Sequence, residues 1–169
     1  GAGAIRTTIN DGEFTVNDKA SASNTTLENG TFTLATGATA EYTTVNGGKF
    51  IVNDGATTDH TELNNSHFEL AGSANAQHTT VNNGAEFTVS GNAKADNTTV
   101  NGGILKLKSR MQANKILVED GYALIYSSLK DAELNGGTTI FTQTAAVEGI
   151  INANQGSFLS VHDGATTQN

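Results

Sequence analysis

Apolar and polar residues alternate along this chain in short bursts of three to five, and the bursts come in pairs: Thr-Thr-Val, then Phe-x-Val after an Asn-Gly step. A period of two is the mark of a strand with one face buried. The pair recurs. Aligned on Thr-Thr-aliphatic-Asn, the chain reads TTINDGEFTVNDKASASN from Thr7, TTLENGTFTLATGATAEY from Thr25, TTVNGGKFIVNDGATTDH from Thr43 and TELNNSHFELAGSANAQH from Thr61, each 18 residues long. The unit from Thr79 carries one extra residue before Phe87, and the unit from Thr98 returns to the regular length. β-Branched content, the central Asn-Gly pair and the lack of a 3.6-residue apolar stripe exclude a helix. Units of about 18–20 residues with two or three short strands suit one coil of an all-β solenoid, a parallel β-helix. Roughly nine coils at about 4.8 Å each would make a rod about 43 Å long.

Stacking turns each repeat position into a column. Ile9, Leu27, Val45, Leu63, Val81, Val100 and Val118 form one inward column, and Phe14, Phe32, Phe50, Phe68 and Phe87 a second. Val16, Leu34, Val52, Leu70, Val89 and Leu107 form a third, and Ala20, Ala38, Ala56, Ala74 and Ala93 a small fourth. The extra residue of the fifth coil reads as a bulge, because Phe87 and Val89 keep their spacing after it. Gly12, Gly30, Gly48, Gly84 and Gly103 are assigned one turn position, with Ser66 as the exception. After Leu105 the pattern drifts: Leu105 and Ala123 continue the aromatic column, while Met111 and Leu129 are assigned to the alanine column. Volume lost on one side returns on the other, so the helix is expected to continue through residues 104–130. Leu134-Asn-Gly-Gly restarts the motif after 16 residues, and residues 150–161 end in a Ser-Phe-Leu-Ser-Val strand. The whole of residues 1–169 is read as one β-helix, regular over 5–108 and diverged over 109–169.

Composition supports a thin core: 36% of the 169 residues are apolar, with 19 Gly, no Pro and no Trp, so Gly, Asn and Asp must make the turns. A formal charge of −8 argues against nucleic acid as a partner, which wants a basic stripe. The absence of cysteine rules out disulfides and thiolate metal sites and is compatible with unfolded passage through an oxidising periplasm. No apolar run approaches a membrane span. The cations gather late: Lys106, Lys108, Arg110 and Lys115 are four of nine.

Tandem TTVNGG…F.V.(D/S)GA units resemble the passenger repeats of self-associating autotransporters of the AIDA type, over about residues 5–169. The resemblance implies a right-handed parallel β-helix, secreted by the type V route and displayed at the cell surface and outer membrane of a Gram-negative bacterium. It implies autoaggregation, biofilm formation or host-cell adhesion, and some relatives carry heptose on Ser or Thr, so O-glycosylation by a heptosyltransferase is a further expectation. A chain that begins at Gly1 and stops at Asn169 in mid-motif is expected to be a fragment of a longer passenger.

Catalysis on a β-helix needs converging carboxylates with Lys or Arg and a cleft built from long loops. Asp18, Asp54, Glu28, Glu41, Glu62, Glu69 and Glu86 lie outside the inward columns with no Arg at matching positions, so no catalytic residue, cofactor or metal is expected. His60 and His78 stack in adjacent coils and could form a weak divalent-metal pair, but the column Asn24, Tyr42, His60, His78, Asn97 reads first as a ladder of planar side chains at a corner. His67 and His162 have no such partner. The Asn column, Asn10, Asn46, Asn64, Asn82 and Asn101 broken by Glu28, reads as a turn former and amide ladder before it reads as a ligand site. Calcium-repeat, P-loop and dinucleotide glycine motifs are absent.

Two outer features are the candidate interaction surface. One is the outward column Thr8, Thr26, Thr44, Thr80 and Thr99, distantly like an ice-binding array but interrupted by Glu62. The other is the basic set Lys106, Lys108, Arg110 and Lys115, whose alternation with Leu105 and Leu107 turns the first charges outward together. A solvated face is the plainer reading of that set. The expected partners are a second copy of the chain, or a host receptor or glycan. The alternatives are a spacer that presents another adhesive domain and a glycan-binding, or less favoured polysaccharide-degrading, β-helix.

Overall fold

The computed structural model describes residues 2–108, 110–142 and 145–168. It is all β, with parallel strands stacked into a solenoid of about nine turns. Gly1, Ser109, Gln143, Thr144 and Asn169 lie outside the described residues.

One coil shows how the repeat builds it. The strand Thr39–Val45 alternates buried and exposed positions except at Glu41 and Tyr42, both exposed. Tyr42 has φ of 54°, so the strand bends there into two sides, with Ala40 inward on one and Thr43 and Val45 inward on the other. After the Asn46-Gly47-Gly48 turn the third side, Lys49–Val52, buries Phe50 and Val52. The coil closes through a tight turn in which the Ala56 amide donates to the Asn53 carbonyl at 3.0 Å, with Gly55 at φ 68°. Along the strands the backbone amides pair with carbonyls of the neighbouring coils. The register is 18 residues through the first coils, Phe14 on Phe32 on Phe50 on Phe68, with Val16, Leu34, Val52 and Leu70 alongside.

The phenylalanines stack face to face at centroid separations of 5.2, 4.7, 4.8 and 4.4 Å, close to the inter-strand spacing itself. Phe32, Phe50, Phe68 and Phe87 are fully buried; Phe14, in the first coil, is half-buried. The pairing carries on past the regular repeats, Leu105 on Ala123 on Thr139 on Leu159, and Leu107 on Ile125 on Phe141 on Val161. The aromatic ring therefore changes column at Phe141, opposite the small Ala123 and Thr139, and the core keeps its volume.

Two sequence assignments are corrected by the register. Leu129 pairs with Ala113 and not with Met111, because Val118 pairs with Leu134 and that coil is two residues shorter; Ser127 instead donates its hydroxyl to the Met111 carbonyl at 2.9 Å. Gly84 does not hold the position of Gly48. Counting back from the paired strands, Ala85 takes it, and the left-handed residue moves one place earlier, to Asn65, Gly84 and Gly102 in three successive coils. Lys115, the last residue of the unit that begins at Thr98, stands in the column of Asn97 with φ of 56°.

A further inward column consists of Thr25, Thr43, Thr61, Thr79 and Thr98, all at most 2% exposed and continued by Ile116 and Ala132. A position that accepts Ile and Ala wants the Thr methyl, not its hydroxyl. The hydroxyls of Thr25, Thr43, Thr79 and Thr98 have no hydrogen-bond partner, whereas Thr61 meets Thr58 at 2.8 Å. An unpaired buried hydroxyl costs about 1–3 kcal/mol. Thr79→Val should therefore raise stability by about 1–2 kcal/mol in urea unfolding. Thr61→Val should lower it, since it orphans the Thr58 hydroxyl. A loss at both sites would show that the Thr79 hydroxyl is satisfied.

Candidate functional site

The outward neighbours of the core columns form the faces available to a partner. Thr26, Thr44, Glu62, Thr80 and Thr99 follow one another in register, half-buried apart from the exposed Glu62, while Thr8 is exposed in the first coil. Beside them the Asn side chains do form a ladder: Asn64 donates to Asn46 at 3.1 Å, Asn82 to Asn64 at 2.8 Å and Asn101 to Asn82 at 3.3 Å. Glu28 is part of it, taking the Asn46 amide at 3.1 Å. The same device returns where Asn135 donates to Glu119 at 3.1 Å and Asn154 to Asn135 at 2.7 Å. These amides are engaged within the rod, so they fix its outer face and leave the Thr column as the free part of it.

The basic set divides. Lys106 Nζ meets Glu86 Oε2 at 2.6 Å, and both side chains are mostly covered, at 32% and 21% exposed. His67 Nε2 lies 3.3 Å from the other Glu86 oxygen, which also accepts from the Thr88 hydroxyl at 3.3 Å. Burial pushes the Glu86 carboxyl up, but the Lys106 hydrogen bond and charge, with His67 and Thr88, outweigh it and hold the group below its ordinary value. Lys106 thus serves the rod's own inter-coil pairing, as does Lys49 with Glu69 at 2.9 Å. Lys108 and Arg110 are exposed. Arg110 opens onto a groove of about 730 Å³ that Lys94 and Lys130 also line, with Asp96 and Glu148 opposing them. A repeat alignment does not bring Lys94 and Lys130 to Arg110, because they come from neighbouring coils at different repeat positions.

The corner column carries the densest chemistry. Arg6, Asn24, Tyr42, His60, His78, Asn97 and Lys115 all have φ between 49° and 56°, so the fold makes the same left-handed bend at every one. Their side chains consequently stand over one another: Tyr42 stacks on His60 at 5.0 Å and His60 on His78 at 4.7 Å. Asp59 comes with them. Its Oδ1 lies 3.1 Å from His60 Nδ1 and 2.7 Å from His78 Nδ1, and accepts the His60 backbone amide at 2.9 Å. Burial raises the Asp59 carboxyl, and the hydrogen bond from His78 and the charges of both imidazoles lower it further than that, leaving it below its ordinary value. The histidine ladder read from the sequence is present, but the carboxylate that joins it was not foreseen. The adjoining groove, about 430 Å³, is lined by His60, His78, Tyr42, Glu62, Thr44 and Thr80, among others.

Asp54 is structural in its contacts. Asp54 takes both the hydroxyl and the amide of Ser73, at 2.6 and 2.7 Å, and these two bonds lower its carboxyl against a smaller opposing effect of burial. No helix among the described residues is long and apolar enough to cross a membrane.

A parallel β-solenoid with uniform coils and repeated polar faces is the class this architecture defines. Residues 7–67 match the family described as AIDA, "Adhesin of bacterial autotransporter system, probable stalk". A crystal structure of a TibC-catalysed, hyper-glycosylated TibA fragment is similar over 100% of this chain and 98% of its own, at 16% identity and a TM-score of 0.29, too loose a likeness to support further argument. No curated protein matches the chain.

Proposed function

We propose that this chain is a non-enzymatic length of a surface-displayed passenger of a Gram-negative bacterium, and that it self-associates through the outer faces of the rod. The observation that carries this reading is the half-buried Thr column, held in register coil after coil by a satisfied Asn ladder. A rigid periodic face lets two rods make many weak contacts at once, and multivalency then supplies the strength. The match of residues 7–67 to an adhesin stalk supports the same reading.

The basic edge adds polarity to that contact. Two rods laid antiparallel would set Lys108 and Arg110 of each against the acid-rich coils of the other, a self-complementary two-fold arrangement. Lys106 contributes less, being held by Glu86. Exposed pairs are worth about 0.2–1 kcal/mol each, and salt weakens them, so a row of them tunes association more than it creates it. Cells displaying the passenger with Lys108→Glu and Arg110→Glu should sediment more slowly than wild type at low salt, and the difference should shrink at moderate salt. Unchanged sedimentation at equal surface display would assign aggregation to the Thr face or to another part of the passenger. A spacer role would be indicated if deleting this region and restoring its length with unrelated coils left aggregation intact.

A second reading, contact with an acidic host glycan, rests on the groove shared by Lys94, Arg110 and Lys130. The same variant separates the two, since loss of cell adhesion with normal autoaggregation would favour the glycan. Heptose added by a heptosyltransferase to exposed Ser or Thr would appear as regular increments in intact mass after co-expression with such an enzyme.

A further inference from the structure

The Asp59, His60 and His78 donors converge on one point at the surface of the rod. Each offers one ligand atom, and the three atoms lie within 4.8 Å of one another. Asp59 Oδ1 is 3.1 and 2.7 Å from the two imidazole Nδ1 atoms. Bonds of about 2.0–2.2 Å in a tetrahedral site put ligand atoms roughly 3.3 Å apart, so Asp59 needs to shift by only a few tenths of an ångström, while the two stacked imidazoles, whose ligand atoms lie within 4.8 Å of each other, must turn toward the ion. The side chains are 40–50% exposed, free to make that adjustment and open to solvent for a fourth ligand.

We propose that Asp59, His60 and His78 bind one divalent transition-metal ion of the zinc class, which staples two successive coils together at the left-handed corner. Two neutral imidazoles and one carboxylate suit Zn²⁺, Ni²⁺ or Cu²⁺ and not Mg²⁺ or Ca²⁺, which want oxygen ligands. The corner supplies the preorganisation. His60 and His78 have φ of 53° and 49°, so their Cβ atoms leave the backbone in the same direction one coil apart, and Tyr42 stacked on His60 steadies the ring. Glu62 lines the adjoining groove, and no Lys or Arg is among the described residues lining it, so the local field favours a cation.

The plain ladder does not account for Asp59. The residues that pair with it in neighbouring coils are Glu41 and Gln77, while Asp96 stands next to Asn97, which offers no imidazole. Among the described residues only this pair of coils brings three donors of these types together.

The test uses the tag-free chain, since a polyhistidine tag would bind the same ions. Titration calorimetry with Zn²⁺ should give one ion per chain, and the melting temperature should rise with Zn²⁺, because an ion that binds only the folded coils stabilises them. His60→Asn and His78→Asn keep the corner, as Asn24 and Asn97 already occupy it at φ 54°. Loss of even an outer-shell partner weakens metal binding roughly 10–100-fold, so each of these variants, and Asp59→Asn, should weaken Zn²⁺ binding by at least tenfold and abolish the melting shift. His67→Gln, on another face, should leave both unchanged. Zn²⁺ binding that survives His78→Asn, an equal response to Mg²⁺, or no one-to-one binding by wild type would overturn the site and leave a hydrogen-bonded ladder.

Discussion

Phe50→Ala should destabilise the chain by about 3–5 kcal/mol, the largest loss of any single core truncation considered, while Thr44→Ala should stay within about 0.5 kcal/mol of wild type. Phe50 is fully buried between two rings, with centroids 4.7 Å from Phe32 and 4.8 Å from Phe68. Removing the ring forfeits its transfer free energy and leaves a hole that neighbours cannot fill, because the backbone ladder fixes the coil spacing. In a solenoid each coil contacts only its neighbours, so damage at a central coil weakens two interfaces at once. Phe14→Ala, at a half-buried end position, should cost clearly less. Urea unfolding of the three variants measures the order. Equal losses at Phe50 and Thr44 would mean that the inward and outward assignments are wrong.

The inward Phe, Val and Leu columns were legible because period-two alternation repeats with an 18-residue register, so each position is matched by four to six others. The Thr column was not. Thr25 and its equivalents look polar in a one-letter pattern, and only the register that puts Ile116 over Thr98 shows that the position is apolar in kind. Leu129 went to the wrong column for a local reason: the coil that begins near Gln112 is two residues short, and a two-residue slip preserves the inward phase while changing the column. The corner column was read as a ladder, yet its left-handed backbone was hidden, since Tyr and His are not residues that ask for positive φ. The same blind spot concealed Arg6 and Lys115 as members. Lys106 was assigned to an outward basic edge because its partner Glu86 lies diagonally in the preceding coil, two residues before Thr88, the residue that pairs with Lys106 directly. Of the candidate surface, then, the positions were readable, but which charges stay free depended on inter-coil contacts that no repeat alignment contains.

Gly48→Ala should cost clearly more than Gly12→Ala, although both glycines hold the same position in the repeat. Both have positive φ, 77° and 105°, so an alanine at either site is strained by about 1–3 kcal/mol. The sites differ in what lies beneath them. A Cβ on Gly48 would collide with the Gly30 backbone, meeting its carbonyl oxygen and, at 2.7 Å, its nitrogen. A Cβ on Gly12, in the first coil, meets nothing within 4 Å. Backbone cannot rotate aside as a side chain would, so relieving the clash at Gly48 means prising two coils apart and stretching the neighbouring bond from the Lys49 amide to the Gly30 carbonyl, now 2.8 Å. The difference between the two variants therefore isolates the stacking requirement from the conformational one. Ser66 in the next coil is consistent with this logic: there the left-handed role passes to Asn65, and a side chain is tolerated at the stacked position itself. Comparing the unfolding midpoints of Gly12→Ala and Gly48→Ala at unchanged m-value decides the matter. Equal shifts would mean that the turn glycines answer to φ alone, and that close approach of one coil to the next does not select them.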